Sequence, residues 1–187
     1  MSTLDRLDET NAPEKSIPLI EKSKASFGRL PGLHSVLAAS PAAFEGYQSL
    51  HSLFAEETAF NAEEKTVIWQ TINVEHRCHY CVPAHTGIAK AMKVSDEISN
   101  ALRDETPLPT AKLEALRSFT LAMLRERGNV DDATLQAFYD AGYEQRHVLE
   151  VILGLAQKVM SNYTNHIANT PVDAPMQKFA WVSKADR

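Results

Sequence analysis

The chain has 187 residues, of which 44% are hydrophobic and 23% charged, and its formal net charge is -5. This composition is close to the globular average, so wholesale disorder and fibrous architectures are excluded, and the negative charge argues against nucleic acid as a partner. The polar, acidic N-terminus MSTLDRLDET is unlike a secretory signal, and no later run is long enough to cross a bilayer. We therefore expect a cytoplasmic protein without a membrane partner.

The spacing of apolar and turn residues predicts helix after helix, with few alternating stretches typical of strands. We expect loosely ordered residues 1–15, followed by one all-α helical domain over residues 16–187. Two early helix starts are indicated, because Ser40 with Pro41 and Asn61 with Glu64 fit N-cap patterns. Later starts and stops are predicted at Ser95, Thr110, Gly128, Asp131 and Gly142, and a last helix runs towards His166.

The segment 74–86, VEHRCHYCVPAHT, contains the only two cysteines, Cys78 and Cys81, with His85 four residues beyond the second. On a helix these three side chains share a face. Pro83 is tolerated only in a first helical turn, so a helix should begin between Cys78 and Val82 and place the thiols at its positive end. A structural disulfide is uncommon in a reducing compartment, so the pair is expected to be reactive or metal-binding.

A helix terminus alone does not lower the pKa of such a thiol enough to ionise it at neutral pH. A thiol of pKa about 8.5 is only about 3% ionised at neutral pH, and lowering the pKa to about 6.5 takes roughly 2.7 kcal/mol. A helix terminus typically supplies about 0.3 to 1 kcal/mol, so a neighbouring base or cation must supply the rest. His85 is the expected base, and Glu75 or Glu64 is expected to orient it.

Other interpretations of this segment compete with the redox one. The two cysteines and His85 could bind zinc with a carboxylate or water, or the cysteines could be inert core residues. His76 and His79 are expected at the surface near the helix junction. Tyr80 could donate a hydrogen bond at the mouth of the site or simply pack.

The sequence EHRCHYCVPAH resembles the core motif of the AhpD-like alkylhydroperoxidase branch of the carboxymuconolactone decarboxylase family. The resemblance extends over about residues 40 to 170, and its later part rests on the stretch NYTNHIANTPVD. It implies an all-helical fold that forms trimers or hexamers and reduces peroxides with a cysteine pair. In that scheme Cys81 attacks the peroxide and Cys78 resolves the sulfenic acid to a disulfide. In thioredoxin-like sites the first cysteine is usually the activated one, which leaves the order of attack open.

One departure from the family pattern concerns the relay glutamate. The position where relatives usually carry it is Thr66 here, Glu64 lies two residues earlier, and Glu75 lies much closer to the thiols. Lactone decarboxylases of the family lack the cysteine pair, so the two thiols argue against that reaction. Which glutamate serves the relay is left open.

The sequence thus predicts a peroxide reductase, an alkylhydroperoxidase-like antioxidant enzyme that needs neither cofactor nor metal. Its partners would be a hydroperoxide substrate, a dithiol reductant protein or small thiol, and further copies of itself. A thiol-disulfide oxidoreductase or redox sensor is the first alternative. A non-catalytic zinc-binding or structural helical protein is the second.

Overall fold

Helices make up the regular secondary structure of the computed structural model, which describes residues 4–186, and no strand occurs among these residues. The predicted all-α, single-domain fold is confirmed. Along the chain the α-helices are α1 (Ile17–Phe27), α2 (Gly32–Leu37), α3 (Pro41–Ser52), α4 (Ala62–Glu75), α5 (Cys81–Ala91), α6 (Asp96–Arg103), α7 (Ala111–Arg125), α8 (Asp132–Asp140) and α9 (Gln145–Ala168). A π-helical turn, Leu53–Glu57, extends α3, and short 3-10 turns lie at Glu14–Ser16, Ala174–Phe179 and Lys184–Asp186. Within residues 4–186, no helix combines the length and hydropathy needed to cross a membrane.

The predicted helix starts are confirmed by their capping hydrogen bonds. The side chains of Ser40, Ser95, Thr110 and Asp131 each accept a hydrogen bond from the backbone N–H three residues later, as N-cap residues do. Asn61 forms the full capping box of α4 with the residue three positions on. Local sequence therefore determines where most of these helices begin.

Helix α4 lies at the centre of the protein and packs against α5, α6, α7 and α9. Its apolar residues, including Ile68 and Ile72, are buried on several sides of the helix, as expected of a helix that is surrounded by others. Its buried amides are paired: Gln70 Nε2 donates to the carbonyl of Val82 over 3.1 Å, and Asn73 Nδ2 donates to Gln70 Oε1 over 3.0 Å. The bond from Gln70 to Val82 attaches the first turn of α5 to the central helix.

Helix α9 crosses close to the π-helical turn after α3 because Gly154 has no side chain. A Cβ atom at this position would lie 2.6 Å from Cε2 of Phe54 and 3.1 Å from Cγ2 of Ile68. The 24-residue helix α9 therefore reaches the interior and brings polar residues of its inner face to the end of α4 and the start of α5.

The two ends of the chain are attached to the helical domain. The backbone N–H of Leu7 donates to the carbonyl of Ser35 over 2.8 Å, and the indole of Trp181 donates to the carbonyl of Arg103 over 2.9 Å. The predicted loose ordering of residues 1–15 stays a prediction, and residues 1–3 lie outside the described part of the chain.

Candidate active site

The cysteine motif lies where the chain leaves α4 and turns into α5. Helix α4 ends at Glu75, and Arg77 takes the left-handed conformation with φ 53°. The N–H of Cys78 then donates to the carbonyl of Asn73 over 2.9 Å. Helix α5 begins at Cys81, within the predicted interval, so Cys81 and His85 lie on α5 while Cys78 lies in the turn before it. The predicted helical face shared by all three residues therefore holds only for Cys81 and His85.

The two cysteines contact each other at the start of α5. The backbone N–H of Cys81 donates to Sγ of Cys78 over 3.3 Å, and the N–H of Val82 donates to the carbonyl of Cys78 over 3.1 Å. The sulfur of Cys78 thus accepts from one of the N–H groups at the start of α5 that have no partner within the helix. Both thiols are free and buried, with exposures of 0% for Cys78 and 2% for Cys81.

The two thiols differ in their acidity. Burial alone would raise the pKa of Cys81, but the hydrogen bond from Cys78, the charge of Lys158 and the amides of Asn165 and Asn162 together lower it to about 6. The Asn165 side chain donates to Sγ of Cys81 over 3.3 Å. The pKa of Cys78 is raised, first by its hydrogen bond to Cys81 and then by burial. The site therefore favours a thiolate on Cys81 and a thiol on Cys78 at neutral pH.

His85 faces a lysine that the sequence analysis missed. Its Nε2 lies 2.9 Å from Nζ of Lys158, and both side chains are buried, with exposures of 6% and 1%. Burial, followed by the charges of Lys158 and His51, lowers the pKa of His85 well below its usual value, so the imidazole is neutral. A neutral Nε2 that accepts from an ammonium leaves the ring proton on Nδ1, which has no hydrogen-bond partner.

Neither carboxylate of the predicted glutamate relay contacts His85. Both carboxylate oxygens of Glu75 bind the guanidinium of Arg125 on α7, each over 2.7 Å. Glu64 caps its own helix and lies 3.0 Å from Nζ of Lys112, also on α7. Both carboxylates are thus held by cations of α7. The hydroxyl of Thr66 donates to the carbonyl of Ala62 in its own helix.

The other motif residues bind the C-terminal part of the chain. Nδ1 of His76 lies 2.8 Å from Oδ1 of Asn162, and Nε2 of His79 lies 3.1 Å from the carbonyl of Thr170. Both residues are half-buried, so they are less exposed than expected.

Tyr80 both packs and donates. Its ring is buried, and its hydroxyl donates to Oδ2 of Asp173 over 2.6 Å and accepts from the N–H of Leu33 over 3.2 Å. Asp173 also binds Arg29 over 3.0 Å and the N–H of Gly32 over 3.1 Å. This carboxylate therefore joins the C-terminal segment to the chain around α2, which forms one wall of the site.

A cavity of about 70 Å³ lies beside Cys81, His85 and Lys158. Burial lowers the pKa of two further histidines in its wall, to about 3 for His34 and about 4 for His51, so both are neutral. The wall is otherwise formed by Phe27, Pro31, Leu33, Tyr47, Tyr80, Ala84 and Ile88. The cavity is therefore largely apolar, with the thiol, imidazole and ammonium as its reactive groups.

Zinc ligands do not converge around the cysteine pair. Over residues 4–186, no group of three or more histidine, cysteine, aspartate or glutamate side chains is arranged to hold a metal ion. The Nε2 of His85 also contacts the ammonium of Lys158, which would compete with a metal ion for the lone pair of that nitrogen.

The polar residues missed by the sequence analysis lie on one face of α9. The apolar residues of this helix predict its amphipathic character but not the polar residues of its inner face. Polar residues that recur at helical spacing inside a long amphipathic helix were the available signal. Those that are fully or almost fully buried are Gln157, Lys158, Ser161, Asn162 and Asn165.

Comparison with known proteins gives structural relatives only, since no family model and no curated protein matches the chain. An uncharacterised peroxidase-related protein with an alkylhydroperoxidase AhpD core, from Ralstonia eutropha JMP134, superposes with a TM-score of 0.79 at 17% identity. The match covers 89% of this chain and 90% of that one. The chain has the AhpD-like fold.

Two further solved structures share this AhpD-like fold. A peroxidase-related protein from Silicibacter sp. TM1040 has a TM-score of 0.78 at 16% identity, over 93% of this chain and 92% of that one. The debrominase Bmp8, solved as a cysteine-to-alanine variant with 2,3,4-tribromopyrrole, has a TM-score of 0.77 at 16% identity, and the match covers 95% of both chains. One AhpD-like architecture thus occurs in proteins with different described reactions.

Proposed function

We propose that this AhpD-like protein is a peroxide reductase that uses Cys81 as its nucleophile and Cys78 as its resolving thiol. The observation that carries the proposal is the hydrogen-bonded cysteine pair, in which the pKa of Cys81 is lowered to about 6 while that of Cys78 is raised. A thiolate beside a protonated thiol is the arrangement that two-step peroxide reduction requires.

The proposed cycle has three steps. The Cys81 thiolate attacks the terminal oxygen of a hydroperoxide, the O–O bond breaks, and one proton is delivered to the departing alkoxide to give an alcohol. Cys78 then attacks the resulting sulfenic acid, which forms the disulfide and releases water. A dithiol donor finally reduces the disulfide by exchange and leaves as a disulfide itself.

The dimensions of the cavity favour small reactants. A water molecule needs about 10–15 Å³, so a cavity of about 70 Å³ holds a hydroperoxide group and a short apolar substituent. Both sulfurs are buried, which favours a small dithiol over a protein reductant. The proposed cycle needs a thiol reductant, and such reductants are abundant in a reducing compartment, which supports a cytoplasmic location. We further propose that the protein forms trimers or hexamers.

Mass spectrometry of the intact protein tests the proposal directly. One equivalent of an organic hydroperoxide should remove two hydrogens, mapped to Cys78 and Cys81. The variant Cys81→Ser should lose thiol-dependent hydroperoxide turnover, whereas Ser99→Ala, a similarly buried site on α6, should retain it. Full turnover by Cys81→Ser, or oxidation without a bond between the two thiols, would contradict the assignment.

Two alternative redox reactions would use the same two thiols. A disulfide oxidoreductase would react faster with small disulfides than with peroxides, and the fold shared with a debrominase makes a bromopyrrole a reasonable third oxidant. Single-turnover rates with an organic hydroperoxide, a small disulfide and 2,3,4-tribromopyrrole should rank the hydroperoxide first. Stoichiometric zinc in protein purified without chelator would instead favour the metal-binding alternative.

A further inference from the structure

We propose that Lys158 is the proton donor of this redox site and that Cys81 and Lys158 form an ion pair which exists only in the reduced protein. The inference rests on the proposed redox role of the cysteine pair. The residue that contacts the imidazole of His85 is thus a lysine of α9, where a glutamate was predicted to orient it.

The position of Lys158 requires a compensating negative charge. Its side chain is 1% exposed, and its Nζ lies 2.9 Å from the neutral Nε2 of His85. No carboxylate of residues 4–186 forms a salt bridge with it. An ammonium buried without an anion is strongly disfavoured, and it either finds a counter-ion or gives up its proton.

Among residues 4–186, the group beside Lys158 that can supply this anion near neutral pH is Cys81, because its pKa is lowered whereas that of Cys78 is raised. The histidines are neutral there, and burial together with Cys81 raises the pKa of Tyr47. Helix α4 presents Trp69, which does not ionise. Burial lowers the pKa of Lys158, but the two cysteines act in the opposite direction. The titratable groups facing Lys158 from the packed elements are Cys78 in the turn before α5, Cys81 and His85 on α5, Tyr47 and His51 on α3, and His34 on α2.

The oxidation step uses up both charges of the pair. The Cys81 thiolate forms the S–O bond, the O–O bond breaks, and the alkoxide takes a proton that leaves Lys158 through His85. The products are the sulfenic acid, the alcohol and a neutral lysine. Cys78 then gives its proton to the departing hydroxide, so disulfide formation releases water and leaves no charge in the cavity.

Reduction restores the pair by the reverse proton movement. A dithiol transfers two electrons to the disulfide and supplies two protons. One proton goes to Cys78 and the other to Lys158, while Cys81 becomes a thiolate. Each half of the cycle therefore exchanges protons between reactants and Lys158, with no net uptake from solution.

The first test measures the Cys81 thiolate itself, by ultraviolet titration and by the pH profile of alkylation. Lys158→Met should lower the thiolate fraction at neutral pH at least tenfold, because the cation is lost. Lys158→Arg should keep the thiolate, since a guanidinium retains the charge. The control Lys90→Met removes an exposed lysine from the same helix as Cys81 and should change nothing.

The second test counts protons during one oxidation in weakly buffered solution near pH 8, about two units above the pKa of Cys81. The wild-type protein should take up no proton per disulfide formed, because Lys158 supplies it. Lys158→Arg should take up one, since a guanidinium keeps its proton. A proton taken up by the wild type, or a neutral-pH thiolate that persists in Lys158→Met, would overturn the proposal.

The role of Lys158 can be tested independently of the proposed peroxide reduction. The titration needs no substrate. The proton count can use a small disulfide as oxidant in place of a peroxide, once the ionised fraction of the two thiols that it releases at pH 8 has been subtracted. If hydroperoxide turnover is absent while both tests give the expected results, only the peroxide assignment falls. If turnover is present and the wild type takes up a proton, the role of Lys158 falls alone.

Discussion

The amide of Asn165 donates a hydrogen bond to Sγ of Cys81 over 3.3 Å, from the inner face of α9 to the first turn of α5. Hydrogen bonds to charged groups contribute about 1.5–3 kcal/mol, which corresponds to roughly one to two pKa units. Asn165→Ala should therefore raise the pKa of Cys81 by about that amount, as measured by the pH profile of alkylation. Asn100→Ala, at an exposed position of α6, serves as the control, and an equal shift there would remove the explanation.

Cys78→Ser should separate the two steps of the proposed cycle. The hydroxyl can still accept the hydrogen bond that Sγ of Cys78 now receives from the N–H of Cys81, so the start of α5 should be preserved. The variant should react once with peroxide and accumulate a sulfenic acid on Cys81, because no second thiol is present to resolve it. Trapping of the sulfenic acid with a dimedone reagent, followed by peptide mapping, checks this. Continued turnover would show that resolution does not need Cys78.

The reactivity of the protein towards alkylating agents should rise with pH and be half-maximal near the Cys81 pKa of about 6. The alkylation rate rises with pH because the thiolate is the reacting species and lower pH converts it to a thiol. Above about pH 7.5 the rate should be nearly constant, whereas an ordinary thiol would still be gaining reactivity up to a pKa of about 8.5. A midpoint close to that of a free thiol would contradict the lowered pKa.

Glu75→Gln and Glu64→Gln should leave the Cys81 titration and the oxidation rate unchanged within about twofold. Both carboxylates bind cations of α7 and neither contacts His85. Loss of the exposed ion pair with Arg125 should reduce the free energy of unfolding by at most about 1 kcal/mol. Urea unfolding and the alkylation profile measure the two effects separately. A tenfold fall in oxidation rate in either variant would support the glutamate relay.

Gly154→Ala should destabilise the fold by about 1–3 kcal/mol, because its Cβ would lie 2.6 Å from Cε2 of Phe54 and overpack the contact between α9 and the turn after α3. Gly46→Ala is a matched control in α3, where the nearest atom to a Cβ is Cε of Met160 at 4.0 Å. That substitution should stabilise the helix by about 0.5–1 kcal/mol. Thermal unfolding of both variants provides the comparison, and equal effects would argue against close packing at Gly154.

Local sequence signals predicted much of this molecule. Helix starts such as Ser40 and Asn61 depend on hydrogen bonds within three residues, so their patterns can be recognised without knowing the fold. The start of α5 was predicted for a similar reason, because Pro83 restricts where a helix can begin. The pairing of Cys78 with Cys81 also depends on near neighbours in the chain.

The electrostatic partners of the site were not predictable by these means. Lys158 reaches His85 across 73 residues of sequence, and its role depends on burial, which spacing alone does not reveal. Glu75 was chosen because it is close to the thiols in sequence, but the end of α4 directs it towards Arg125. Which side chains meet was decided by the packing of α9 and α7 on α4.

The division of the site between early and late parts of the chain has a consequence for the growing polypeptide. The cysteines leave the ribosome long before α9, which carries Lys158 and Asn165, has been synthesised. Until then their thiols have the ordinary acidity of an unfolded peptide, with a pKa of about 8.5, and react slowly with oxidants. The lowered pKa of Cys81 therefore arises only after α9 has been synthesised and has packed beside α5.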